Sequence, residues 1–289
     1  MGPGEIDEAN GFAILPDDSI WLYDHGQWRV KVFNTDGEEV ASHPPVVMSY
    51  GWVWSGAVDH KKRIWKGSSI PDEMPQFPPK DGFNESRGRA FMIAYDTQTE
   101  QADTTWLGPV SGTYYTITSD RGYQTMSLMY GPSRAQTVSP AGDGFWRSDG
   151  YDYAFARLNE AADTTMIVRA DLDPVPVTQA DKDRFIDAVG NEDQKMITAA
   201  HEIAGAMPEF KPAIQGILVD DEGTVWITRY SDVGELATLD AYSTDGEFQK
   251  SVRLNAPILS YFPLLIKDGR VYALAHREDG VPSILVFDL

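Results

Sequence analysis

Short runs of alternating apolar and polar residues recur along the chain, and tight polar turns separate them. The second run of each repeat carries a large aromatic residue at one fixed position, and the residues at that position are Trp21, Trp65, Trp146, Trp226 and Tyr272. The turns before these runs include Asp17-Asp18 and Asp268-Gly269, and aspartate and glycine suit β-hairpins because they tolerate positive φ. The pattern therefore predicts repeated antiparallel hairpins.

Two further runs complete each repeat, an apolar third one such as residues 30–33 and a more polar fourth one such as residues 38–42. Four strands of decreasing hydrophobicity, repeated, are typical of β-propeller blades that run outward from a central channel. The predicted blades cover residues 11–48, 52–108, 134–173, 213–255 and 261–289. The fifth ends after its third strand, so we expect a ring closed by the terminal segments or edges that pair between copies.

Three longer segments interrupt the repeats, and they cover residues 70–87, 108–133 and 174–212. In propeller topology they all fall on the face that carries the second-to-third loops and the blade crossings. Elaborated loops commonly hold ligand sites, so this is the predicted functional face. Residues 174–212 predict two helices, the first opening with a capping box of Thr178 and Asp181, and residues 114–118 and 124–130 predict an extra hairpin.

Composition narrows the possible partners. The formal net charge of −20 disfavours nucleic acid and anionic membrane surfaces, and the absence of a long apolar run predicts no membrane insertion. The absence of cysteine excludes disulfides, thiol nucleophiles and cysteine-bound metals. We expect a single domain over residues 1–289 with a helical insertion, and an extracytoplasmic protein, periplasmic or secreted, whose signal peptide is absent from this chain.

Residues 24–37, Asp-His-Gly-Gln-Trp-Arg-Val-Lys-Val-Phe-Asn-Thr-Asp-Gly, resemble the repeat of the NHL-like and TolB-like six-bladed β-propeller superfamily. The similarity extends over most of the chain as a strand pattern and is close only in the first blade. The resemblance implies a ring of six blades, one more than the five recognised, and a chain trimmed at its N-terminus. It implies no activity, because the superfamily includes scaffolds, sensors, lactonases and lyases.

Polar residues follow the second strands, where the predicted topology makes them converge on the functional face. The predicted ligand-binding residues are Asp24, His25, Asp149, Tyr151, Arg229, Tyr230, His276 and Arg277. Imidazole, carboxylate and guanidinium groups in one place suit ligand binding or acid–base chemistry. The alternative interpretation is an ordinary polar rim.

Metal chemistry receives little support from the spacing of the candidate ligands. No H-x-x-H or H-E-x-x-H pattern occurs, and the acidic pairs Asp17-Asp18 and Asp220-Asp221 fill hairpin turns without EF-hand spacing. No cofactor is evident, although calcium is possible.

Two functions follow from these patterns. The first is a non-catalytic binding or scaffold module for a small ligand, a peptide or a protein. The alternative is a metal-dependent hydrolase or lyase of the lactonase kind, which needs carboxylate and amide ligands around the channel. The predicted innermost strands are mostly apolar, and this favours the binding module.

Overall fold

The computed structural model describes residues 5–44, 54–55, 57–73, 79–119, 122–131, 134–189, 193–232, 235–259, 264–276 and 281–289. Within these residues the strands form five sheets, numbered here as blades one to five in chain order. Apart from one short strand that joins the first sheet in parallel, neighbouring strands in each sheet are also neighbours in sequence, because the predicted hairpin turns reverse the chain onto the preceding strand.

Blade one contains the segment that resembles the NHL-like repeat. Its antiparallel strands are β1 (Ala9–Ile14), β2 (Ile20–Asp24), β3 (Arg29–Phe33) and β4 (Glu39–His43). A short strand, β5 (Trp54–Ser55), pairs with β1 in parallel and leads the chain into the second blade.

Blade two is the most extended sheet and corrects part of the prediction. Its strands are β6 (Ala57–Val58), β7 (Arg63–Pro71), β8 (Gly82–Asp96), β9 (Gln101–Ser119) and β10 (Gly122–Ser127). The segments 70–87 and 108–133 were predicted as insertions between strands, but much of both is strand, because β8 and β9 stay paired from Asp96–Gln101 to Gly82–Thr116. The extra hairpin is confirmed, since β10 pairs with the end of β9.

The last three blades are simpler antiparallel sheets. Blade three comprises β11 (Ala135–Val138), β12 (Gly144–Ser148), β13 (Ala154–Asn159) and β14 (Thr164–Arg169). Blade four comprises β15 (Ile214–Val219), β16 (Val225–Arg229), β17 (Thr238–Tyr242) and β18 (Phe248–Arg253). Blade five comprises β19 (Leu265–Lys267), β20 (Arg270–His276) and β21 (Pro282–Asp288).

The repeated aromatic position lies on the second strand of every blade, as predicted. All four tryptophans there are at most 6% exposed, and Tyr272 is half-buried. Each tryptophan packs into a cluster shared with a neighbouring blade; Trp65, for example, lies beside Phe145 with ring centroids 5.3 Å apart. The hydrophobic core is therefore divided into layers between adjacent sheets, as the alternation of side chains along the strands requires.

An aspartate in the preceding turn anchors two of these tryptophans. The Oδ2 atom of Asp59 accepts a hydrogen bond from Trp65 Nε1 at 2.7 Å, and that of Asp220 accepts one from Trp226 Nε1 at 2.8 Å. Their Oδ1 atoms accept backbone N–H groups of the same turns, for example that of Thr224 at 2.7 Å. The interpretation of Asp220 as turn chemistry is thus confirmed.

The two predicted helices are present as α1 (Gln179–Val189) and α2 (Gln194–Gly205). The capping box is also confirmed, since Asp181 Oδ2 accepts the backbone N–H of Thr178 at 2.8 Å and Thr178 Oγ1 accepts that of Asp181 at 3.2 Å. The buried face of α2, with Ala199 and Ile203, packs against Tyr115 on the extended hairpin of blade two. Two of the predicted insertions are therefore in contact.

Candidate functional site

A half-open cleft lies between blades three and four and has a volume of about 340 Å³. Blade three contributes residues before β13 and along the outer strand β14, and blade four contributes its three outer strands. The side chains that shape the cleft include Tyr153, Val168, Arg169, Leu172, Arg229 and Phe248. The lining is predominantly aliphatic and aromatic, with two guanidinium groups.

The carboxylate of Asp240 organises the wall that blade four contributes. Asp240 is 1% exposed and accepts two hydrogen bonds from Arg229, Nε to Oδ2 at 2.7 Å and an Nη to Oδ1 at 2.9 Å. The hydroxyls of Tyr153 and Ser251 also donate to it. Strand register explains the cluster, because Asp240 lies opposite Ser251 on β18 and opposite Ile227 on β16, two residues before Arg229.

These contacts fix the charge state of the cluster. Burial alone would raise the pKa of Asp240, but the hydrogen bonds from Arg229, Ser251 and Tyr153 outweigh it and lower the pKa below its usual value. Burial and the bond to Asp240 raise the pKa of the Tyr153 hydroxyl. The hydrogen bond to Asp240 raises the pKa of Arg229, so an ionised pair persists at neutral pH.

The rim of the cleft carries exposed side chains, whereas Asp240 at its base is buried. Phe248 is 57% exposed, and its ring lies 5.6 Å from that of Tyr242. Arg169 is exposed and forms no ion pair within the described residues. An apolar ring and a cation without an ion pair among the described residues thus border the same cleft.

Of the described residues predicted to bind a ligand, Arg229 is the one that lines this cleft. Asp24 is fully buried and accepts backbone N–H groups of Asp7 and Glu8 at 3.1 Å and of Gln27 at 3.2 Å. Burial would raise the pKa of Asp24, but these bonds outweigh it and lower the pKa. Asp24 therefore ties the N-terminal segment to blade one.

The remaining predicted residues are spread over several places. His25 Nδ1 lies 3.0 Å from Glu8 Oε2, and Tyr151 is 43% exposed. Asp149 is exposed and forms ion pairs with Arg147 and Arg134 at 3.1 and 3.7 Å. His276 ends β20, and Arg277 lies outside the described residues.

Tyr230 belongs to a second buried network, which the sequence analysis missed. Lys211 Nζ donates to Asp181 Oδ1 at 2.9 Å and also to Asp232. Tyr130 donates to Asp232 at 3.2 Å, and its ring lies 5.6 Å from that of Tyr230. The start of α1, the segment after β10 and the loop after β16 therefore meet at one charged cluster. An isolated lysine and two separate aspartates gave no spacing signal for it.

Lys66 on β7 is a further residue that the sequence analysis missed. It is 7% exposed, and its Nζ has no hydrogen-bond partner among the described residues. Alternation along β7 places its side chain on the same face as Ile64, which packs against blade one. Burial lowers the pKa of the Lys66 ammonium to about 8.

Within the described residues no group of three or more histidine, aspartate and glutamate side chains is placed to hold a metal ion. No helix in the described part of the chain is long and apolar enough to cross a membrane.

Strand order, hairpin connections and the layered core define the chain as a β-propeller protein with five recognised blades and a short helical insertion. No protein family matches the chain, and no curated protein is similar to it in sequence.

Three solved structures with a similar course of the chain share little sequence identity with it. A virginiamycin B lyase from Staphylococcus aureus is 11% identical, with a TM-score of 0.38 over 98% of this chain and 84% of its own. A member of the DUF4221 family from Bacteroides vulgatus is 9% identical, with a TM-score of 0.47 over 100% and 81%. Regucalcin, a calcium-binding protein from Agrobacterium tumefaciens, is 14% identical, with a TM-score of 0.32 over 97% and 90%. Because identities and scores are this low, the architecture rests on the strand pairing described above.

Proposed function

We propose that this chain is a non-catalytic β-propeller binding module, and that the cleft between blades three and four holds a small ligand with an apolar body and an anionic group. One observation carries the proposal. The polar groups at the base of the cleft are hydrogen-bonded to one another, while Phe248 and Arg169 at its rim are exposed.

The rim supplies binding energy of two kinds. Covering an exposed aromatic ring removes apolar surface from water, at roughly 25 cal/mol per Å². The Arg169 guanidinium offers donors to a carboxylate or phosphate, and charge-assisted hydrogen bonds contribute about 1.5–3 kcal/mol each. A mostly apolar cleft with a few oriented polar groups is the usual form of a small-ligand site.

The base of the cleft favours binding over acid–base catalysis. A general acid or base works best with a pKa near the operating pH. Here the pKa of Asp240 is lowered and that of Tyr153 is raised, so both move away from neutrality. Their role is to hold Arg229 and the cleft wall in place.

Several finer predictions remain part of this proposal. They are the relationship to NHL-like and TolB-like propellers, an extracytoplasmic location, a peptide or protein as the partner in place of a small ligand, and bound calcium. Each awaits its own experiment, and the cleft supports the small-ligand version because its volume is about 340 Å³.

The test uses N-acetylphenylalanine as the probe, with its uncharged amide as the comparison ligand, in calorimetric titrations. Arg169→Gln should weaken binding of the acid roughly tenfold to a hundredfold, because one charge-assisted contact is lost. The same change should leave binding of the amide unaltered, and Phe248→Ala should weaken both ligands.

Arg87→Gln is the matched control, because Arg87 is a 78% exposed arginine on blade two that should not affect the cleft. Equal affinity of the parent and the Arg169→Gln variant for the acid would show that the ligand lies elsewhere.

A further inference from the structure

The outer strand of blade five differs from the outer strands of the other sheets. Blade five has the order β19-β20-β21, and no strand of the described residues pairs with the outer side of its third strand, β21, which is its free edge in this sense. In blades one, three and four a fourth strand covers the third, and in blade two β9 covers β8.

The apolar side chains of β21 are much more exposed than those of the third strands in other blades. Corresponding third strands are buried elsewhere, with Val32 on β3 6% exposed and Leu239 on β17 0% exposed. On β21, Ile284 is 67% exposed and Val286 is 53% exposed. This strand therefore has the apolar composition of an inner strand and the exposure of an edge.

Other outer strands carry charged residues that discourage pairing with another chain. Glu39 lies on β4, and Lys250 and Arg253 lie on β18. The single charged residue of β21 is Asp288 at its end, whose Oδ1 lies 3.1 Å from Arg270 Nε. An apolar edge whose one charge lies at its end is a template for strand addition.

The backbone groups at this edge are oriented for pairing. The N–H of Leu289 donates across the hairpin to the carbonyl of Gly269 at 2.9 Å. Because N–H directions alternate along a strand, those of Ile284 and Val286 point away from β20, toward the free side.

We infer that two copies of this chain associate through antiparallel pairing of β21 with β21, around a two-fold axis at Leu285. In this register Ile284 lies opposite Val286 of the second copy, and the two exchange both backbone hydrogen bonds. Leu285 lies opposite Leu285, and Asp288 lies opposite Pro282, so no like charges face each other. The contact is self-complementary and closes as a dimer.

Self-complementarity favours a second copy over an unrelated strand, because one sequence satisfies both sides of the ladder. The net charge of −20 on each copy opposes association over longer distances. Salt screens this repulsion, so the dimer should become tighter as ionic strength rises.

Sedimentation velocity of the parent chain at low and high salt should show a monomer–dimer equilibrium that shifts toward dimer with added salt. Val286→Pro should abolish the dimer, because it removes an outward N–H without breaking a hydrogen bond to β20. Ile167→Pro is the matched control, since Ile167 lies on the outer strand β14, is also 53% exposed, and has an outward N–H by the same alternation. The control should remain dimeric.

Disulfide cross-linking tests the register. The chain contains no cysteine, so Leu285→Cys introduces a single thiol. Residues opposite each other in a non-hydrogen-bonded antiparallel pair have Cα atoms about 4.5 Å apart, within reach of a disulfide. Mild oxidation should link Leu285→Cys into a covalent dimer and leave Ile167→Cys monomeric on denaturing gels. A parent chain that stays monomeric at high salt, or a dimer that tolerates Val286→Pro and does not cross-link, would overturn the inference.

Discussion

A single buried ammonium group gives Lys66 a measurable effect on stability. Its pKa is lowered from 10.5 to about 8, so the unfolded chain binds more protons between these two pH values. The free energy of unfolding should therefore rise with pH from about 8 to 10.5. Below pH 8 the buried charge of Lys66 lowers the free energy of unfolding by the full amount, about 3 kcal/mol.

Lys66→Met should consequently stabilise the protein at pH 7 by about 3 kcal/mol and remove this rise with pH. Urea unfolding at several pH values measures both effects. Lys61→Met, at a 55% exposed lysine nearby, should change neither. A Lys66→Met variant less stable than the parent at pH 7 would show that the ammonium has an anionic partner.

The pair of Arg229 and Asp240 shows how structure changes the meaning of a predicted residue. Arg229 was predicted as a ligand contact, but it is also the main partner of a carboxylate that is 1% exposed. Arg229→Ala should therefore lose about 3 kcal/mol of unfolding free energy, because Asp240 stays charged without its partner.

A double-mutant cycle with Arg229→Met and Asp240→Leu separates the two roles. The double variant should lose less stability than the sum of the single variants, by about 1–3 kcal/mol in urea unfolding. Arg270→Ala, which breaks an exposed pair with Asp288, should cost less than about 1 kcal/mol. Additive single effects would mean that the two residues do not stabilise each other.

At the scale of the element, the aromatic residues of the second strands should differ in how much they contribute to the free energy of unfolding. Trp226 is 3% exposed and donates to Asp220, so Trp226→Ala should cost about 3–5 kcal/mol. Trp226→Phe keeps most of the packing and should cost about 1–3 kcal/mol, because Asp220 loses a buried donor. Tyr272→Ala, at a half-buried position, should cost less than Trp226→Ala in the same urea titrations. Equal losses at Trp226 and Tyr272 would contradict this order.

The hairpins were predictable because alternation and turn residues are local signals. The extension of β8 and β9 was not, since Pro71, Pro75 and Pro109 are typical of loops. Pro109 is tolerated within β9 because β10 pairs only with a later part of β9. No described strand therefore needs a hydrogen bond from the outer side of Pro109. The helices were predictable from spacing, but the network that attaches them through Lys211 depends on distant residues.

At the scale of the whole molecule, the sequence predicted the repeat of sheets, whereas it could not predict which strand ends border a cleft. Asp24 and Arg229 end equivalent strands, and strand position alone assigns them similar roles. Their surroundings then separate them, because the segment at residues 5–8 covers Asp24 whereas a gap between two blades opens beside Arg229. Contacts between blades depend on how neighbouring sheets pack, and no local pattern encodes this.

The pairing of β8 with β9 also affects how the length of these two strands can vary during evolution. The two strands stay in step along their length except for one irregularity between Ala90 and Phe91. A hairpin of this kind can gain or lose matched residues at its far end without altering the register at its base. Evolution can therefore vary the height of this projection, and the surface it presents to α2, while the blade beneath it keeps its packing.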